Sequence, residues 1–256
     1  MNSRNSISFI KFYGAAKVLV KDKSVDVNDP VIYYFDNQPS VKDAIESLGP
    51  PHTEVIAILV NSKPKKFDYL LQDEDNIEVF SFDTKPDIPV KSLLPNQPKG
   101  KANFVLDVHL GGLARYLRFL GFDTLYEKVD RGDNILADQA KELDRVLLTR
   151  DIGLLKHAKI RYGYWLRNTQ PEKQLLEVAL RYNLKPFIKP FSRCSVCNGL
   201  IKTIGKNELK ARVSMSIYHQ FDEFWECENC HHIYWKGEQY FALKKQLDDL
   251  ANQISY

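Results

Sequence analysis

At 256 residues, 44% of them hydrophobic, the chain has apolar mass for one large domain or about two to three small ones. Its 36 Lys and Arg nearly balance 33 Asp and Glu, so a net charge of +3 excludes a molecule-wide field for nucleic acid and leaves only local clusters to carry such a role. The opening stretch MNSRNSISFIKF lacks the apolar core of a signal peptide, and no run approaches the roughly 18 apolar residues of a membrane span, so the expectation is a cytoplasmic protein with no membrane partner.

In residues 1–82, Ile7, Phe9, Lys11, Phe12 and Tyr13 predict a strand, and Val31 to Phe35 a second. Ser40 is placed to cap a helix, with acidic Asp43 three positions on. Val41, Ala44, Ile45 and Leu48 form that helix's apolar stripe, and Gly49-Pro50-Pro51 ends it. Val55 to Val60 and Ile77 to Phe82 read as two further strands. The order strand, strand, helix, strand, strand is that of a β-grasp (ubiquitin-like, α+β) domain. The stretches IAILVNSKP and LLQDEDNIEVF resemble ubiquitin-like and small sulfur-carrier proteins. Those carriers end in Gly-Gly, the atoms that are activated. Here the last strand runs into Ser81-Phe82-Asp83-Thr84, so the expectation is a binding or packing module with a protein partner.

Residues 83–101 hold Pro86, Pro89, Pro95 and Pro98 and read as a linker at a domain boundary. Lys85, Lys91, Lys99 and Lys101 within it are either phosphate contacts or solvated.

Residues 102–188 open on FVLDVHLGGLARYLRFLGFD: a short apolar strand, Asp107, two glycines, then a helix with Leu110, Leu113, Leu117 and Leu120 on one face. Arg115 and Arg118 fall off that stripe and read as a solvated face, His109 as a turn residue, and Gly121 as a left-handed cap. Asp123 to Tyr126 is a second strand. Leu136, Ala140 and Leu143 mark a helix, Arg145 to Thr149 a buried strand, and Leu154-Leu155 a short helix. Tyr162 to Leu166 is one more strand, and Pro171 to Tyr182 a helix with Leu175, Val178 and Ala179 inward. Alternating strands and helices predict a three-layer α/β domain with a parallel sheet.

Asp107 and Asp151 follow predicted strands, where open parallel sheets bind ligands, and Asp133 opens a helix. Carboxylates gathered at one sheet edge repel one another, and a divalent cation relieves that repulsion. Mg²⁺ and Mn²⁺ prefer such oxygens, and they support phosphodiester cleavage. Each acid also has a plainer reading: Asp133 as a helix cap, Asp107 and Asp151 as ordinary loop acids.

FVLDVHLGGLARYLRFLGFDTLY, DNILADQA and RVLLTRD together resemble the Mut7-C RNase domain family, part of the PIN-like nuclease superfamily, over residues about 102–240. The resemblance implies an RNase that binds Mg²⁺ or Mn²⁺ through an acidic cluster. Asp107 matches the acid after the first strand, Asp133 the acid ahead of the helix alanine Ala140, and Asp151 the acid of the T-x-D turn. The glutamate usual between the first two has no clean counterpart, and Asp123 is the candidate to replace it. Arg115 and Arg150 lie inside the matching motifs as candidate phosphate contacts. The implied partner is RNA, with tRNA, rRNA or a ribonucleoprotein as candidates.

In residues 189–256, Cys194-Ser195-Val196-Cys197 and Cys227-Glu228-Asn229-Cys230 form two C-x-x-C pairs. Four thiolates suit a closed tetrahedral Zn²⁺ site, which is structural, and a hairpin insertion would account for the long interval between the pairs. His231 and His232 are alternative ligands. The same RNase family carries a zinc ribbon after its nuclease core. Lys189, Arg193, Lys202, Lys206, Lys210 and Arg212, with Phe191, Tyr218, Phe221, Phe224 and Trp225, make a candidate RNA-facing surface or a solvated hairpin. Leu243, Leu247 and Leu250 predict a closing amphipathic helix. The alternatives to a ribonuclease are a non-catalytic RNA-binding protein built on the ribbon, and an adaptor centred on the β-grasp domain.

Overall fold

The structure is a computed structural model that describes residues 6–242 and 245, except 23, 25, 27, 85, 96 and 239. In chain order it contains β1 (Ser6–Tyr13), β2 (Val31–Phe35), α1 (Val41–Leu48), β3 (Val55–Val60), β4 (Lys63–Lys65) and β5 (Asp75–Ser81). Then come β6 (Phe104–Leu106), α2 (Gly111–Phe119), β7 (Thr124–Tyr126), α3 (Asp133–Glu142), β8 (Val146–Thr149), α4 (Ile152–Leu155), β9 (Gly163–Trp165) and α5 (Pro171–Arg181). The chain closes with β10 (Ile201–Ile204), α6 (Met215–Gln220), β11 (Phe224–Cys227) and β12 (Ile233–Trp235). These elements group into two compact units. One takes the chain up to residue 98 together with 131–165, and the other takes 99–130 together with the chain from 166 on.

In the first unit the sheet order is β2-β1-β5-β3-β4, with β1 and β5 parallel at its centre and the other pairings antiparallel. This is the β-grasp arrangement. Ser8, Ile10 and Phe12 alternate inward along β1, as a half-buried strand requires. Helix α1 starts at a capping box: Asp43 N–H donates to Ser40 Oγ at 3.1 Å, and Ser40 N–H reaches back to Asp43 Oδ2 at 3.4 Å. Val41, Ala44 and Ile45 then cover one face of the sheet with Ile10, Ile58 and Ile77. The other face, at Ala57, Leu59 and Phe80, is covered by Ile88 and Leu93, and buried Leu94 donates its N–H to the Ile56 carbonyl at 2.5 Å. The first half of the proline-rich stretch is therefore part of the β-grasp body rather than a tether. Lys85 lies outside the described residues.

The same unit holds the parallel pair β8 and β9, with Leu148 opposite Tyr164 and Thr149 opposite Trp165, flanked by α3 and α4. Helix α3 buries Ala137 and Ala140, whereas Leu143 ends the helix at 51% exposure. The i, i+4, i+7 reading placed Leu143 inward. Leu143 is the cap residue: its N–H closes the last turn on Gln139 O at 3.2 Å, but its side chain is left outside the core.

In the second unit β6 and β7 pair in parallel, with Val105 opposite Leu125. Leu110, Leu113, Leu117 and Leu120 are all buried, as their spacing predicts. Gly121 ends α2 at φ 88°, donating its N–H to Arg118 O at 2.8 Å while Phe122 N–H reaches Leu117 O at 2.9 Å. Lys101 Nζ donates to the Gly121 carbonyl at 2.7 Å and lies 5.1 Å from the Phe122 ring centre. It satisfies a helix end while the residue stays largely exposed. Burial, with Arg193 and Lys189 nearby, lowers its pKa. Tyr116 OH donates to Glu172 Oε1 at 2.6 Å, tying α2 to α5.

The ribbon is a three-stranded antiparallel sheet, β10-β11-β12. The interval between the cysteine pairs contains β10, α6 and β11, so the insertion is helical rather than a simple hairpin. Ser214 Oγ caps α6 by accepting from Ile217 N–H at 3.4 Å. The helix is needed to close a small core of Ile204, Leu209 and Phe224, on which Tyr218, Phe221 and Trp235 pack. Leu243, Leu247 and Leu250 lie outside the described residues. Among the described residues no helix is long and apolar enough to cross a membrane.

Candidate functional site

The four cysteines converge. Cys194, Cys197, Cys227 and Cys230 have sulfur atoms all within 4.8 Å of one another, with Cys194 to Cys230 at 3.6 Å and Cys197 to Cys227 at 3.4 Å. Four thiolates at Zn–S distances of about 2.3 Å would stand about 3.8 Å apart, so the donor set fits a tetrahedral zinc ion. Each knuckle turns through a left-handed residue after its second cysteine, Asn198 at φ 68° and His231 at φ 58°. Backbone amides point at sulfur: Cys197 N–H to Cys194 at 3.4 Å, and Asn229 and Cys230 N–H to Cys227 at 3.4 and 3.5 Å. Tyr234 OH donates to Cys194 Sγ at 3.1 Å.

Burial acts to raise the Cys194 thiol, but the Tyr234 hydroxyl and the Cys197 and Val196 amides outweigh it and bring it down to about 7. Burial and the neighbouring sulfurs push Cys230 up to about 12. Four thiolates this close repel one another, and a divalent cation would relieve that repulsion. His231 Nδ1 instead faces Glu226 Oε1 at 3.0 Å, and His232 packs edge-on against Tyr234. Neither belongs to the ligand group formed among the described residues.

The first knuckle is locked to the α2–β7 segment. Arg118, only 5% exposed, donates from Nε to Thr124 O at 3.0 Å, from Nη1 to Val196 O at 2.9 Å and from Nη2 to Tyr126 O at 3.4 Å. This overturns its reading as part of a solvated face: the guanidinium is the hinge-pin between strand and knuckle. Burial pulls its pKa below the ordinary value, and the Cys194 and Cys197 sulfurs act in the opposite direction.

Asp123 takes part in the same lock. Its Oδ1 accepts from Asn198 Nδ2 at 2.8 Å and its Oδ2 from Arg193 Nη2 at 3.2 Å, while Asn198 Oδ1 accepts from Thr124 N–H at 3.0 Å. Both carboxylate oxygens are engaged in docking the knuckle. This gives Asp123 a structural role. Periodicity gave no hint of either role, because their partners Val196, Arg193 and Asn198 lie far along the chain.

Asp107 directly follows β6, partly buried, and leads a 3-10 turn in which Leu110 N–H donates to its carbonyl at 3.0 Å. The turn is fixed from β7, where Tyr126 OH donates to Val108 O at 3.1 Å. Gly111 is required there: a Cβ would stand 2.6 Å from the Tyr126 hydroxyl. Asp151 stands two residues beyond β8, after Arg150, and caps α4. Its Oδ1 accepts from Gly153 N–H at 2.6 Å and Leu154 N–H at 3.3 Å. Asp133 is exposed in the first turn of α3, after Gly132 rather than as the cap itself. His157 faces Asn134 Oδ1 at 3.2 Å, which joins the elements carrying Asp133 and Asp151 within the first unit. Asp107 belongs to the second.

Arg115 and Arg150 are both exposed. The basic residues of the ribbon are largely committed: Arg193 to Asp123, Lys206 to Asp222 at 2.7 Å and Arg212 to Glu226 at 2.6 Å. Its aromatic residues pack inward or stack. Phe224 is fully buried, and Phe191 lies flat on Trp225 with ring centres 4.9 Å apart. Lys189, Lys202 and Lys210 remain exposed.

A β-grasp sheet, an α/β region with parallel strands and a four-cysteine ribbon define a modular protein. The chain belongs to the Mut7-C family: the Mut7-C RNAse domain matches residues 102–247, and the Mut7-C ubiquitin domain matches residues 7–85 ahead of it. No curated protein and no solved structure matches the chain.

Proposed function

We propose that the protein is a metal-dependent ribonuclease. The observation that carries this reading is membership of the Mut7-C RNAse domain family across residues 102–247, with Asp107 and Asp151 at the carboxyl ends of parallel strands and Asp133 in the first turn of α3. These carboxylates are the oxygen donors that suit Mg²⁺ or Mn²⁺. When bound, such an ion supplies an activated water and neutralises charge on the leaving oxygen. Asp151 contributes a fixed carboxylate, because two amides hold its Oδ1. Arg115 and Arg150 are placed in the matching motifs to hold phosphate oxygens flanking the scissile bond. The ribose 2′-OH has no part in the reaction, so the products carry 5′-phosphate and 3′-hydroxyl ends. The ribbon, holding zinc on Cys194, Cys197, Cys227 and Cys230, is structural.

Purified protein with Mn²⁺ cleaves single-stranded or structured RNA under this reading, and Asp107→Asn lowers turnover by at least about a hundredfold, a loss of the size seen for removal of a key electrostatic group. End-labelled product analysis reads the termini. Undiminished cleavage by Asp107→Asn would remove that residue from the mechanism.

A further inference from the structure

The 3-10 turn His52–Glu54, just ahead of β3, carries three consecutive buried polar residues: His52 is 9% exposed, Thr53 1% and Glu54 0%. Burying such groups is costly unless they find hydrogen-bond partners. Partners for His52 and Glu54 come from residues 156–165 of the same compact unit. His52 Nε2 donates to Ile160 O at 2.7 Å while its Nδ1 meets Glu46 Oε1 at 2.6 Å, so both ring nitrogens face oxygen acceptors. Lys156 Nζ donates to the Glu46 carbonyl. Glu54 Oε1 accepts the backbone N–H of Trp165 at 2.9 Å, and the Phe82 ring meets Tyr164 edge-on at 5.5 Å.

From Trp165 the connection continues to an acid. The indole Nε1–H donates to the carbonyl of Arg150 at 3.1 Å. Arg150 precedes Asp151, whose own N–H donates to Thr149 Oγ1 at 2.9 Å, and Thr149 stands opposite Trp165 in the β8–β9 register. Glu54 is fully buried and Trp165 partly so, so loss of this acceptor loosens the Trp165 backbone where it pairs with Thr149.

We propose that Glu54 is a positioning residue for the Asp151 turn: it fixes Trp165, whose indole fixes the Arg150 carbonyl. The partner of the β-grasp module is then the α4–β9 segment of its own chain. The consequence for catalysis rests on the ribonuclease reading, whereas the positioning itself does not.

The test uses the full chain with Glu54→Leu, Glu54→Gln and Trp165→Phe, read by amide hydrogen exchange and by steady-state RNA cleavage with Mn²⁺. Glu54→Leu is expected to speed exchange across residues 149–155 about tenfold, the size of one lost charge-assisted hydrogen bond. The β1 and β12 amides stay unchanged, and kcat falls while KM holds. Glu54→Gln, which keeps an oxygen acceptor, restores both readouts. Trp165→Phe removes only the indole donor and gives the same local loosening, so it decides the matter if Glu54→Leu fails to fold. Unchanged exchange at 149–155 in the folded variants overturns the proposal, and so does a uniform rise that includes β1. If the wild-type chain cleaves no RNA, the ribonuclease reading falls while the exchange data still decide the positioning.

Discussion

Arg118 shows how one side chain can escape a helical wheel. It neighbours Leu117 in sequence and lies off the leucine stripe, yet it is buried because Thr124, Tyr126 and Val196 present three carbonyls to a planar fork of donors. Two of those acceptors are close in sequence and the third sits in a cysteine knuckle, so no local pattern announces the site. Arg118→Met should cost about 2–4 kcal/mol in chemical denaturation, because it leaves buried acceptors unmet. Arg118→Lys should recover little of that, since an ammonium cannot span the three directions. Asp123 is a parallel case. It was the candidate for the glutamate missing between the first two matching acids, and only the fold shows an amide and a guanidinium bonded to its oxygens. The cysteines were legible because their pair spacing alone imposes the chemistry.

Elements with short-range causes were readable, and those shaped by distant partners were less so. The Ser40–Asp43 box fixed the start of α1, and the leucine spacing of α2 gave its buried face. The phase of α3 was misjudged because small Ala137 and Ala140, not the larger Leu143, meet the core. Helix α6 went unseen because its six residues carry too few apolar positions to show a period.

The α2–α5 tie gives a pH test. The Tyr116 hydroxyl holds the Glu172 carboxyl below its usual range, while burial and then Glu172 push Tyr116 up to about 12. A carboxyl depressed in the folded state stabilises above its unfolded value and loses that contribution as pH falls through the folded one. The stability gap between wild type and Tyr116→Phe should therefore be below about 1 kcal/mol near neutrality and close below about pH 4. Denaturant titrations at several pH values measure it. In the ribbon, the four-sulfur cluster should take up one zinc equivalent, and Cys227→Ser should abolish that uptake, as metal analysis reads, and loosen β10–β12 in hydrogen exchange.

At the scale of the whole molecule, the order of modules was legible because each has its own local signature: a β-grasp strand order, strand-end acids, paired cysteines. The grouping into units was not, because residues 131–165 join the β-grasp body across a long stretch of sequence. Truncation of residues 1–82 should accordingly leave a poorly stable remainder, as Trp165 N–H, Ile160 O and Lys156 lose their partners together. Comparing the melting temperature and soluble yield of the truncated and full chains measures this. Preserved stability would show the β-grasp body to be dispensable to that segment.

The discontinuity of the first unit also sets a timetable for biosynthesis. The β-grasp sheet leaves the ribosome early, whereas the segment that covers its polar turn at His52–Glu54 ends only at Trp165. For dozens of elongation steps the nascent sheet must hold a half-finished flank in water, at translation speeds of about 5–20 residues per second. That flank closes only once Trp165 has emerged.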